Sequence, residues 1–225
     1  MIRNLQVALM LTLFVLAPAY GQITIIPTPT AAYTGATTLV PITAADHASV
    51  TSITNGTQTI SFSSTLMAAT VPSGGWGTWS TPPSAESATP RVLSAFSALT
   101  TLTVTLSQST PTFGFEIEPM NYGFFTITIT FMNGNIALGS VTQTINGEAG
   151  APLAAMTSAA APITGAVITL PVAAGGLAVG QFRYGPVSNV VPSGAPALGP
   201  AGMGALSVML MGMGSLLARM KNRNA

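Results

Sequence analysis

No cysteine occurs in the 225 residues, so disulfides, zinc–thiolate sites and thiol nucleophiles are excluded. Charge is nearly as scarce. Asp, Glu, Lys and Arg make up 5% of the chain, against roughly 25% in an ordinary globular domain. There is one histidine, His47, beside Asp46. One imidazole cannot build a typical zinc site, and no G-x-S-x-G run supplies a nucleophile elbow. The Asp46-His47 pair reads as a turn. Four of the six basic residues (Arg3, Arg219, Lys221 and Arg223) stand at the two ends, which leaves Arg91 and Arg183 against five acids in between, a net charge of −3. A nucleic-acid partner needs clustered Lys and Arg and is excluded on that ground. No helical period is sustained before residue 200.

What the chain has is two apolar ends and an alternating middle. At the N-terminus, Arg3 precedes the apolar run VALMLTLFVLA at 7–17, the length of a signal-peptide h-region of roughly 7–15 residues. Pro18 breaks that run, and Ala19 and Gly21 put small residues at the −3 and −1 positions of a cut before Gln22. Residues 1–21 therefore read as a signal peptide. At the other end, AGMGALSVMLMGMGSLLA at 201–218 has no charge. As a helix it would rise about 27 Å, close to a hydrocarbon core of roughly 30 Å. Its four glycines each weaken a helix by roughly 1 kcal/mol, which argues against a buried core helix. Arg219, Lys221 and Arg223 follow directly and favour a cytoplasmic tail at 219–225. The expected topology is exported middle, membrane helix, inside tail.

Between the ends the apolar period is two. TTLTVTLS at 100–107 sets Leu102, Val104 and Leu106 against Thr101, Thr103 and Thr105. FTITITF at 125–131 sets Phe125, Ile127, Ile129 and Phe131 on one face, and TQTISFS at 57–63 alternates likewise. Such segments are antiparallel strands with one face in a core and the other in water. Further strands are expected at 22–27, 38–43, 112–118, 136–145, 164–170 and 177–184. Turn signals separate them: Asn55-Gly56, Ser73-Gly74-Gly75, Asn133-Gly134-Asn135, Asn146-Gly147 and Ala174-Gly175-Gly176. The fold class is all-β, an antiparallel sandwich over 22–187 with a jelly-roll-like strand count. A transmembrane barrel also alternates, but it needs apolar segments of about 10 residues and aromatic girdles; here 7% of residues are aromatic.

Few residues suggest chemistry. Glu116 and Glu118 share a strand face. They read as a solvated strand end or as partners of Arg91 or Arg183, with a calcium site as the functional alternative. Calcium takes six to eight oxygens, and no D-x-D-x-D run supplies them. Catalytic carboxylates of glycosidases flank a bond, which i, i+2 neighbours do not. Trp76 and Trp79 lie in SGGWGTWS at 73–80. In an extended segment, positions three apart face opposite ways, so one indole is expected to plug the core and the other to be free to stack on a sugar ring. No enzyme constellation emerges, and no cofactor is implied beyond that calcium ion.

Two runs resemble known families. The order Pro-containing motif, apolar span, basic cluster resembles the PEP-CTERM and IPTL-CTERM sorting signals of Gram-negative bacteria. Pro196, Leu198 and Gly202 in APALGPAG at 195–202 are similar to a P-x-L-x-x-W-G motif, with Ala201 in place of the Trp. The resemblance covers about the last 35 residues. It implies a linker with sorting motif at 188–200 and recognition by an exosortase-type membrane enzyme. It also implies anchoring in the inner membrane before delivery to the envelope, the surface or the medium. The middle, through TFGFEIEP at 112–119, GFFTIT at 123–128, GEAG at 147–150 and AVGQFRY at 178–184, resembles a β-sandwich domain of secreted PEP-CTERM-type proteins. That resemblance implies an envelope location and a role near exopolysaccharide.

Overall fold

The computed structural model describes residues 23–96 and 99–186. The expected signal peptide, the motif residues Pro196, Leu198 and Gly202, the span at 201–218 and the tail with Arg219, Lys221 and Arg223 lie outside the described residues. Among the described residues no helix is long and apolar enough to cross a membrane.

In chain order the elements are β1 (Ile23–Ile26), α1 (Ala31–Ala36), β2 (Thr38–Leu39), β3 (Ser49–Thr54), β4 (Thr59–Thr70), β5 (Arg91–Ala95) and β6 (Thr101–Thr110). Then follow β7 (Thr112–Pro119), β8 (Phe124–Asn133), β9 (Ile136–Asn146), β10 (Leu153–Ser158), β11 (Ile163–Thr169) and β12 (Leu177–Tyr184). Every ladder is antiparallel. The strands form one path, β1-β10-β7-β12-β5-β4-β6-β11-β8-β9, with β2 added on β12 and β3 on β4.

Two separate sheets were the expectation; a single continuous sheet is what the ladders make. The reason lies in β4. Its first part pairs with β6 (Ile60 to Phe62 against Leu106 to Val104), and its last part pairs with β5 (Met67 to Thr70 against Ser94 to Arg91). One long strand thus carries the hydrogen bonding from one half to the other. The free edges of the two halves also meet. Gly139 of β9 stands against Ile23 of β1 and Met156 of β10, and Gln143 Nε2 donates to the Leu153 carbonyl at 3.0 Å. The sheet is therefore nearly closed and barrel-like.

The core lies between the two halves. Leu102, Val104 and Leu106 of β6 and Ile127, Ile129 and Phe131 of β8 point inward, as their alternation predicts, and all are buried. From the other half come Phe113, Phe115 and Ile117 of β7 and Phe182 of β12. Phe113 meets Phe131 edge-on across the core, with ring centroids 6.4 Å apart at 82°, and Phe62 meets Phe182 at 5.6 Å. Offset and edge-on geometries are the favourable ones for aromatic rings. The β8–β9 hairpin turns at Asn133-Gly134-Asn135, where Gly134 takes φ +57°, a conformation that costs glycine little.

The expected strands are present, with shifted ends; the segment at 38–43 keeps only Thr38–Leu39 as ladder. Three strands give no alternating signal. Arg91–Ala95 and Leu153–Ser158 are covered on both faces, so they lack the polar face that alternation needs. Ser49–Thr54 shifts register between Val50 and Ser52, which breaks its period. The short α1 is capped by Thr30, whose hydroxyl accepts from Tyr33 N at 3.2 Å.

Val104 is 1% exposed at the centre of β6. Val104→Asp buries an unpaired carboxylate and should cost roughly 4 kcal/mol or more, read as the shift in urea-denaturation free energy. An unchanged midpoint would contradict the inward register.

Candidate functional site

The outer face of β7 carries Gly114, Glu116 and Glu118, because Phe113, Phe115 and Ile117 face the core. A sheet face with two carboxylates ordinarily looks into water. Here residues 71–90, the connection from β4 to β5, fold back over it. Trp76, Trp79, Val71 and Ala85 pack on Ala69, Val92, Ala151 and Ala178 as a second apolar cluster outside the main core. Glu116 and Glu118 end up fully buried beneath this loop.

Each carboxylate is held by an indole. Trp79 Nε1 donates to Glu116 Oε2 at 2.8 Å, and the backbone N–H of Glu86 donates to Oε1 at 2.6 Å. Trp76 Nε1 donates to Glu118 Oε2 at 2.6 Å, and Gly150 N donates to Oε1 at 3.1 Å. The Thr78 hydroxyl completes the set at 3.3 Å from Glu118 Oε1. The loop runs antiparallel to the strand, since the earlier Trp takes the later Glu. Carboxylate spacing of about 7 Å along a strand is spanned by two indoles three residues apart. Charge-assisted hydrogen bonds of this kind contribute roughly 1.5–3 kcal/mol each.

An ion pair extends the network. Arg183 Nε donates to Glu86 Oε1 and Oε2 at 2.7 and 2.9 Å. Its Nη1 donates to the carbonyls of Thr34 and Thr37 at 3.2 and 3.1 Å. These are orphan carbonyls at the C-terminal end of α1, where a cation is favoured. The chain of contacts thus runs α1, Arg183, Glu86, Glu116, Trp79. Arg91 anchors the near end of the loop. It bonds Thr70 Oγ1 at 2.8 Å and Asp46 Oδ1 at 3.1 Å, and also the Ala44 carbonyl.

Burial sets the protonation behaviour. Desolvation pushes the Glu116 carboxyl up to about 7 from 4.5, although the Trp79 and Glu86 N–H groups pull the other way. Glu118 is raised for the same reason, against hydrogen bonds from Trp76 and Gly150. The Tyr33 phenol, buried with no partner for its hydroxyl, is raised well above its usual range by desolvation.

Three expectations are corrected by this geometry. Neither indole is free for a sugar: Trp76 and Trp79 are 5% and 4% exposed. The opposite-faces argument assumed a regular strand, whereas 76–80 has no regular secondary structure and both rings lie in one apolar cluster. Glu116 and Glu118 are not a solvated strand end. Their partners are the two tryptophans rather than Arg91 or Arg183, which bridge to Asp46 and Glu86. As calcium ligands, the carboxylate oxygens already face N–H or O–H donors that a cation would have to displace. Among the described residues no group of three or more His, Asp or Glu is arranged to hold a metal. Asp46 and His47 do form a turn, with His47 at φ 66°.

Sequence reasoning missed the loop as an element, and with it Glu86 and Tyr33. One signal was present: two tryptophans and two glutamates, each pair closely spaced, in a chain with few other polar groups to bury. Beside Trp76 the surface opens into a small cleft of about 160 Å³ lined by Phe96, Met120 and Tyr122.

No protein-family model matches the chain, and no curated protein matches it. Among solved structures it is similar to the enzymatically active domain of tailspike protein 4 of bacteriophage CBA120. The identity is 18% and the TM-score 0.32, over 57% of this chain and 19% of that one. A likeness of that size carries no argument.

The raised Glu116 carboxyl fixes the sign of a pH dependence. Between pH 4.5 and about 7 the folded state holds a proton that the unfolded state has released. Stability should therefore fall as pH rises through that window, by up to about 3 kcal/mol, and level off above it. Glu116→Gln should flatten this slope. It should also cost roughly 1–3 kcal/mol, because an amide nitrogen cannot accept from Trp79 or Glu86. Urea denaturation at pH 5 and pH 8 reads both; an unchanged slope in the variant would place the dependence elsewhere.

Proposed function

We propose that the chain is an exported surface or extracellular-matrix protein of a Gram-negative envelope, without catalytic activity. The signal peptide at 1–21 delivers it, and the signal at 188–225 is recognised by an exosortase-type membrane enzyme and holds it in the inner membrane until sorting. In this reading the nearly closed sheet is a sandwich that serves as the displayed body. The single observation that supports a non-catalytic role is the commitment of Glu116 and Glu118: both are fully buried, and each of their four carboxylate oxygens already accepts a hydrogen bond from the protein. The layout of the two ends, with Pro196, Leu198, Gly202, Arg219, Lys221 and Arg223, supports export and sorting.

Intact-mass spectrometry of the protein recovered from membrane and medium tests this reading. It should find Gln22 at the N-terminus and, in the released form, a chain shortened before residue 201. A reporter fused after Ala225 should be active inside the inner membrane before processing. Activity only on the outside, or retention of residues 1–21 in the exported form, would overturn it.

A further inference from the structure

We propose that the outer face of β8 and β9, with Phe124 at its head, is a binding surface for a neutral glycan chain. Alternation along β8 turns Phe124, Thr126, Thr128 and Thr130 outward while Ile127, Ile129 and Phe131 enter the core. Register sets Thr126 opposite Thr144, Thr128 opposite Thr142 and Thr130 opposite Ser140. Each pair is joined hydroxyl to hydroxyl, at 3.2, 3.0 and 2.9 Å. The result is a ladder of hydroxyl pairs with about 7 Å between rungs. Threonine is stiff at χ1, so the ladder is largely ordered before any ligand arrives. In each pair one hydroxyl spends its proton on the other, which leaves a donor and free lone pairs for an outside partner. The threonine methyls supply apolar contact between the rungs.

Phe124 lies in line with this ladder and is 75% exposed, more than any other large hydrophobic side chain among the described residues. An apolar ring held in water at the end of a row of hydroxyls matches one ligand chemistry closely. A pyranose has an apolar C–H face and a rim of hydroxyls that both donate and accept. Stacking on Phe124 removes both apolar faces from water, and the ladder meets the rim.

Charge selects the class of glycan. Among the described residues all charged side chains stand on β5, β7, β12 or in loops; β3, β4, β6, β8, β9 and β11 carry none. The nearest along the chain is Glu148, in the turn after β9. An anionic polymer finds no cation on this face, whereas a neutral one loses nothing. Across β11 the same face dips into a trough of about 390 Å³ bordered by Thr103, Thr105, Thr164 and Val167. Gly165, at the register shift of β11 against β6, borders the trough too, and a Cβ there would collide with the Val104 carbonyl, so only glycine lets the two strand backbones approach this closely. The surface lies on the other half of the sheet from the tryptophan loop, and the proposal does not depend on how the ends of the chain are processed.

The test is affinity electrophoresis of the full chain in mild detergent. The gels contain dextran, hydroxyethyl-cellulose, galactomannan or a β-1,3-glucan, with alginate as the anionic comparison. At least one neutral polymer should retard the protein and alginate should not. Phe124→Ala and Thr128→Glu, both on the surface, should each weaken that retention roughly tenfold, a step of about 1.4 kcal/mol, with an unchanged melting temperature. Thr142→Glu on the facing strand should repeat the effect if one variant misfolds. Three results would overturn the proposal: no retardation by any neutral polymer, equal retardation by alginate, or loss of binding in Tyr122→Ala with Phe124→Ala unaffected. The last would move the site to the cleft beside Trp76.

Discussion

Two hydrogen bonds from indole nitrogens to buried carboxylates organise one half of this molecule. Glu116 and Glu118 sit on a strand whose other face is core, and leaving them under an apolar cover without donors would cost several kcal/mol. Trp76 and Trp79 resolve this in one step. Each ring supplies apolar cover and its N–H supplies the donor. With them the segment from 71 to 90 becomes a packed layer, and β5, β7 and β12 become strands buried on both faces.

The Arg183–Glu86 bridge ties that layer to α1 and to the strand beside it. Its geometry, an Arg reaching a carboxylate and two carbonyls at a helix end, suits the fixed fork of donors that arginine carries. Because the side chains of both ions are largely covered, the bridge is better placed than an exposed pair to hold the loop. A polar network of this kind is secure only when every member is satisfied. That condition explains why Glu86 contributes its backbone N–H to Glu116 as well as its carboxylate to Arg183.

The two halves of the sheet are therefore unlike. One is covered outside by a loop and holds the buried acids; the other presents rows of threonine and serine hydroxyls on charge-free strands. A continuous sheet makes the contrast possible, because β4 passes hydrogen bonding between the halves while their outer faces follow different chemistries.

Strands with one wet face were legible residue by residue. In TTLTVTLS and FTITITF every second residue is apolar, and a pleated strand has no other way to bury them together. Of the strands covered on both faces, Arg91–Ala95 and Leu153–Ser158 were not legible, since both their faces carry small or apolar residues and period two vanishes, whereas β7 kept its alternation because Glu116 and Glu118 stand on its second face. The all-β class, the hairpin at Gly134, the inward register of β6 and β8, and the absence of thiol or zinc–thiolate chemistry all follow from the order of residues alone. That the four residues of the site meet in pairs across the loop and the strand is a product of long-range folding. Trp76 and Glu118 are 42 positions apart, and no local propensity links them. Their meeting depends on a loop folding over a sheet face that exists only after strands distant in sequence have paired.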